Sequence, residues 1–110
     1  MELVDSKKGE VLVLKVSGRL DAGTAPELEK SMIGFFDAGE KFFLVDFAGL
    51  DYISSVGLRV LLMSAKKAKA AGGKVVLCGL QEHVFEVFEI AGFTSIFEIF
   101  DDSDSAIVSF

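Results

Sequence analysis

Apolar positions along the chain fall into short runs separated by polar and glycine-rich breaks, and their spacing alternates between two periods. Val11–Leu12–Val13–Leu14–Lys15–Val16 is apolar and largely β-branched, so Glu10–Ser17 predicts a strand. Leu3–Asp5 predicts a short edge strand, and Ser6–Gly9 has the turn chemistry to join the two as a hairpin. Gly18–Gly23, which contains Asp21, reads as a loop. From Thr24 the period changes. Ala25, Leu28, Met32, Phe35 and Phe36 recur on one helical face. Thr24 as cap, Pro26 in the first turn and Glu27 three residues after Thr24 form a capping-box pattern, and Gly39 ends the helix.

The second half repeats the alternation. Phe42–Phe43–Leu44–Val45 is almost continuously apolar, so Lys41–Phe47 predicts a central strand covered on both faces. Ala48–Ile53 reads as a connection. A helix follows from Ser54 or Ser55 to about residue 71, with Leu58, Leu61, Leu62, Ala65 and Ala68 as its inner stripe, and Gly72–Gly73 stops it. Lys74–Gly79 predicts another buried strand. Gln81–Ala91 predicts a helix that turns Val84, Phe85, Phe88 and Ala91 inward, ended by Gly92. Ile96–Phe100 predicts a last short strand, and Asp101–Ser105 offers caps for a terminal helix. The order β-β-α-β-α-β-α-β-α predicts an α/β fold. Its sheet is mixed: the opening hairpin is antiparallel, and strands joined through helices run parallel by right-handed crossovers.

Composition narrows the class. The 110 residues are expected to form one domain, 1–110, and 51% hydrophobic residues with eleven Phe supply its core. A net charge of −6 repels phosphate backbones and anionic head groups, so neither nucleic acid nor a membrane is an expected partner. Lys66, Lys67 and Lys69 read as a solvated helix face. The single cysteine, Cys78, ends the run Val75–Val76–Leu77. It reads as a small buried hydrophobe and fits a reducing compartment. His83 has no second His or Cys near it, so a zinc site is not expected. The first residues lack a secretory pattern, and no apolar run reaches membrane-spanning length, so the expected location is cytoplasmic. No Walker-type loop, G-x-G-x-x-G or nucleophile–base pair stands out, and the expectation is a binding protein without cofactor rather than an enzyme.

The segment richest in chemistry is Val45–Asp46–Phe47 followed by Tyr52–Ile53–Ser54–Ser55–Val56–Gly57–Leu58–Arg59. Its serine pair stands where a helix begins. One reading is capping, in which a hydroxyl accepts a bond from a free N–H of the first turn. The other is phosphorylation, since free N–H groups and the positive end of the helix dipole tolerate a phosphoryl group. Both readings stay open on the residues alone. Gly57 weakens a helix, which suggests that another group approaches closely there.

Gly18–Arg19–Leu20–Asp21 before a helix, the Ser54–Ser55–Val56–Gly57–Leu58 stretch, Gly72–Gly73–Lys74 and Ala91–Gly92–Phe93 together resemble the STAS domain family across essentially the whole chain. A chain of this size is similar to the family's bacterial anti-sigma factor antagonists. The resemblance implies a STAS-like fold and a protein that catalyses nothing. Such an antagonist binds an anti-sigma factor that is also a serine kinase, frees a sigma factor for transcription, is released by serine phosphorylation and is reset by a serine phosphatase. It makes Ser55 the phosphorylation candidate, ahead of Ser54. The expected partner-binding surface comprises Asp21, Thr24, Ser54, Ser55, Val56, Gly57, Leu58 and Arg59, with Val56 either an exposed apolar contact or simply buried under the preceding loop. Two positions depart from the family signature: Ser54 stands where it has aspartate, and Val56 cannot accept phosphate. A phosphorylation-independent STAS interaction module and a sensor of a small ligand, nucleotide or lipid, are therefore the alternatives. Self-pairing into a homodimer is left open.

Overall fold

The computed structural model describes residues 1–110. Its elements, in chain order, are β1 (Glu2–Lys8), β2 (Val11–Leu20), α1 (Ala25–Asp37), β3 (Phe42–Asp46), β4 (Leu50–Ile53), α2 (Ser55–Ala70), β5 (Lys74–Cys78), α3 (Glu82–Ile90), a single 3-10 turn (Phe93–Ser95), β6 (Ile99–Phe100) and α4 (Ser103–Ile107). The sheet order is β1-β2-β3-β5-β6, with β4 paired to the far end of β2. β1 and β2 are antiparallel and every other pairing is parallel, so the sheet is mixed as expected.

The continuous apolar runs follow from two covered faces. Leu12, Leu14 and Val16 of β2, Phe43 and Val45 of β3, and Val75 and Leu77 of β5 point to one side. Leu28 and Met32 of α1, Leu58 and Leu61 of α2, and Val84 and Phe88 of α3 cover them there. The alternate residues Val11, Val13, Leu44, Val76 and Cys78 point the other way, where Ala106 of the short α4 packs on them. Period-2 alternation with both sides buried leaves few polar positions in β3 and β5. Cys78 is fully buried, and burial pushes its thiol up to about 12, as suits an inert core residue.

Several elements differ from the sequence pattern. β1 is more than twice as long as Leu3–Asp5, because an edge strand with a solvent side tolerates Glu2, Ser6, Lys7 and Lys8. Gly18–Leu20 is strand, not loop, and Ala48–Ile53 contains a strand, β4. Register shifts between Gly18 and Arg19, where Gly18 takes φ +92° and its N–H bonds the Gly49 carbonyl at 2.9 Å. This bulge lets β2 exchange β3 for β4 as its neighbour. Residues 96–98 are not strand: the chain leaves α3 through the 3-10 turn, and only Ile99–Phe100 pairs with β5. Ala91 is exposed beyond the end of α3. On α2 the buried stripe is Gly57, Leu58, Val60, Leu61, Ser64 and Ala68, while Leu62 and Ala65 are half-buried at its margin. Ser64 enters the core because its hydroxyl donates back to the Val60 carbonyl at 2.8 Å.

Candidate functional site

The carboxyl ends of β2 and β4 bring the loop at Asp21 beside the start of α2. Leu20 pairs with Ile53, and the Ser54 N–H donates to the Leu20 carbonyl at 2.9 Å. Two segments more than thirty residues apart are thereby joined by backbone.

The capping box expected at Thr24 does not form. Thr24 has helical backbone angles and its side chain caps nothing in α1. Its hydroxyl instead accepts from the Asp21 N–H (2.9 Å) and donates to the Arg19 carbonyl (2.8 Å). Asp21 Oδ1 in turn accepts from the N–H groups of Gly23 (3.0 Å) and Thr24 (3.1 Å). The side chains close the loop on itself, which leaves Asp21 Oδ2 pointing outward, 3.8 Å from Arg19 Nε. The backbone N–H of Thr24, helped by that of Gly23, holds the Asp21 carboxyl below its ordinary value. The depression favours the charged form in the folded loop. Its contribution is full above the ordinary carboxylate range and is lost as pH falls through the lowered value. In an acid titration followed by amide NMR, the Gly23 and Thr24 signals are expected to move with a midpoint below that of a free aspartate. A midpoint at the ordinary value would contradict the hydrogen bonding described.

At the start of α2 the two serines part company. Ser54 has extended backbone and its Oγ accepts from the Gly57 N–H at 3.3 Å, so Ser54 is the cap, a contribution of about 1 kcal/mol. Ser55 is the first helical residue and is exposed. No acidic side chain occupies the first turn of α2, so the positive end of its dipole faces solvent beside Ser55. Arg59 is exposed one turn further on, four residues from Ser55 and hence on the same side.

Three of the expected contact residues belong to the interior. Gly57 and Leu58 are buried, and Val56 is half-buried against the main core rather than a free apolar contact. The group that approaches Gly57 is not a partner but the chain itself: a Cβ there would lie 2.7 Å from Leu20 Cγ and 3.1 Å from Ile53 Cγ1. These residues set the position of the surface without forming it. The surface itself carries Asp21, Thr24, Ser54, Ser55 and Arg59.

A stacked pair adds to this surface. The Arg19 guanidinium lies 4.2 Å from the centre of the Tyr52 ring, and both residues are exposed. They face each other as register partners of β2 and β4. No local signal marks them, because the pairing depends on β4. On its other side β4 is held by α3, where the His83 imidazole donates from Nε2 to the Asp51 carbonyl at 2.5 Å.

Comparison with known proteins matches this arrangement to a family. The STAS domain profile covers residues 3–106. The chain belongs to the STAS domain family. A Bordetella bronchiseptica protein, BtrV, provisionally assigned as an anti-sigma factor antagonist, is 40% identical over 110 residues, spanning 100% of this chain and 95% of that one. The anti-sigma-B factor antagonist of Listeria monocytogenes is 34% identical over 85 residues, 76% of this chain and 74% of its own. Among solved structures, a Thermotoga maritima protein with the same provisional assignment as BtrV superimposes with a TM-score of 0.93 at 20% identity, over 97% of this chain and 92% of that one. The STAS fold is therefore shown, within a group of relatives named as anti-sigma factor antagonists. No helix of this STAS domain is long and apolar enough to cross a membrane.

Proposed function

We propose that this STAS protein is an anti-sigma factor antagonist that docks on an anti-sigma factor through the surface joining Asp21 and Thr24 to Ser54, Ser55 and Arg59. The observation that carries the reading is the division of labour between the serines. Ser54 is spent on the helix cap, which leaves the exposed Ser55 hydroxyl at the positive tip of α2, set on a rigid sheet. The relatives named as anti-sigma factor antagonists supply the partner class.

Phosphorylation of Ser55 by the partner's serine kinase is the switch. A phosphoryl group there gains from the free N–H groups of the first turn and from Arg59 at i+4, so the modified chain stays folded. The same group places close to two negative charges and a tetrahedral bulk where the partner packs, so the complex is released. A serine phosphatase restores the docking form. Ser54 replaces the signature's aspartate as cap, so the helix start keeps its geometry without that carboxylate.

The test mixes the protein with an anti-sigma kinase and ATP and follows intact mass and complex formation. The expected result is a gain of one phosphoryl group, abolished in Ser55→Ala and retained in Ser54→Ala, with dissociation following modification. Ser55→Glu is expected to weaken the unmodified complex about tenfold or more. A complex that forms without any mass change would replace the switch by phosphorylation-independent docking. Absence of a complex with any such kinase would overturn the partner assignment.

A further inference from the structure

At the opposite pole of the molecule, between the last turns of α2, the start of β5 and the 3-10 turn, lies an open groove of about 620 Å³. Its floor is apolar: Val75 is buried, Leu62 and Ala65 are half-buried, and Ile96 stands 50% exposed on its rim. Lys66 and Lys69, three residues apart on α2 and so on one side of it, project along the edge. Neither takes part in an ion pair, in a chain whose net charge is −6. The other cations nearby are committed. Lys74 donates to the Ser109 carbonyl at 2.8 Å and pairs with Glu98 at 3.4 Å, and Lys67 lies over the Phe36 ring. Compensation of the negative end of the α2 dipole accounts for a lysine at position 69. It does not account for the groove or for an exposed isoleucine beside it.

We infer that this groove is a second docking surface, separate from the Ser55 surface, and that it takes a short acidic segment of a partner protein carrying apolar side chains. Apolar groups of the segment cover Ile96, Leu62 and Ala65, and its carboxylates meet the Lys66 and Lys69 ammonium groups. The mixture of chemistries selects this occupant. Nucleic acid would meet an overall negative charge and a floor with no aromatic ring on which a base can stack. An anionic bilayer would be held by only two free lysines, against the repulsion of the rest of the chain. Along α2, at 1.5 Å per residue, Leu62 stands about 10 Å and Lys69 about 21 Å beyond Ser55. The groove shares no lining residue with the Ser55 surface, and the inference does not depend on the identity of the partner at Ser55.

An NMR titration of the isotopically labelled protein tests this. The probe is a synthetic amphipathic peptide with Glu on one face and Leu on the other. An all-Glu peptide of equal length and an oligouridine RNA are the comparators. The expected result is shift changes centred on the amides of Lys66, Lys69, Gly73 and Ile96, with Asp21, Thr24, Ser54 and Ser55 unmoved. The affinity should fall about tenfold from low to physiological salt, because exposed charge pairs are screened. Lys66→Glu/Lys69→Glu and, separately, Ile96→Asp are expected each to weaken binding about tenfold or more. Both alter exposed side chains, and an unchanged melting temperature confirms their fold. The inference fails if the peptide causes no shifts or shifts centred on Ser55, if both variants bind as the parent does, or if the all-Glu peptide or the RNA binds as tightly.

Discussion

Phe88→Ala is expected to destabilise the protein by about 3–5 kcal/mol, the cost of removing a fully enclosed aromatic ring and leaving its cavity. Phe88 has no exposed surface. Its ring centre lies 6.4 Å from that of Phe47, 6.0 Å from Phe93 and 6.4 Å from Phe97, two of these pairs being edge-to-face. The ring thus pins α3 to the end of β3 and to the 3-10 turn, and no neighbouring element can move in to fill the space without giving up its own contacts. For a domain of this size the loss corresponds to a fall in melting temperature of about 12–20 °C. Ile90→Ala, two residues along the same helix, is the internal contrast. Ile90 is 89% exposed, and its truncation is expected to change stability by less than about 0.5 kcal/mol. Urea unfolding of the two variants checks both. Similar midpoints would show that the α3 face is not packed as described.

Gly57→Val is expected to cost about 3 kcal/mol or more and to displace the head of α2. The Cβ alone would stand 2.7 Å from Leu20 Cγ, and Leu20 is fully buried with no room to rotate away. The branched methyls would press further into Leu20 and Ile53. Relief requires the first turn of the helix to lift from β2 and β4, which breaks the Ser54 N–H bond to Leu20 and carries Ser55 with it. The variant should therefore lose both stability and partner binding. Gly34→Ala, in a place on α1 where a Cβ meets nothing within 4 Å, should be neutral or slightly stabilising through better helix propensity. Thermal melts of the two variants, with binding measured below both melting points, separate the cases. Full partner affinity in a destabilised Gly57→Val protein would show that the helix tip is not part of the docking surface.

Much of this was legible in one dimension. The period-2 runs at Val11–Val16, Phe42–Val45 and Val75–Cys78 and the helical stripes of α1, α2 and α3 are consequences of which side chains must leave water, and burial enforces them locally. The ordered corner motifs carried the family. Two kinds of feature were out of reach. β4 is four residues, with Leu50 and Ile53 buried and Asp51 and Tyr52 exposed. That pattern has no strand period, and the segment is extended because the bulge at Gly18 offers it the free edge of β2. The 3-10 turn likewise takes its place from Phe93 and Phe97 packing on Phe88.

The site divides along the same line. That Ser54 and Ser55 begin a helix, and that one of them caps it, is local chemistry and was readable. Which serine caps depends on the backbone angles at Ser54, and those follow from its N–H being held by the Leu20 carbonyl. Gly57 looked like an opening for a partner, and it is instead the seat of Leu20, because a contact between residues thirty-seven apart leaves no trace in the spacing around either. Hydrophobic periodicity records the distance of each residue from water along a single element. Which element lies opposite is a pairing of distant segments, and it exists only once the chain has closed around them.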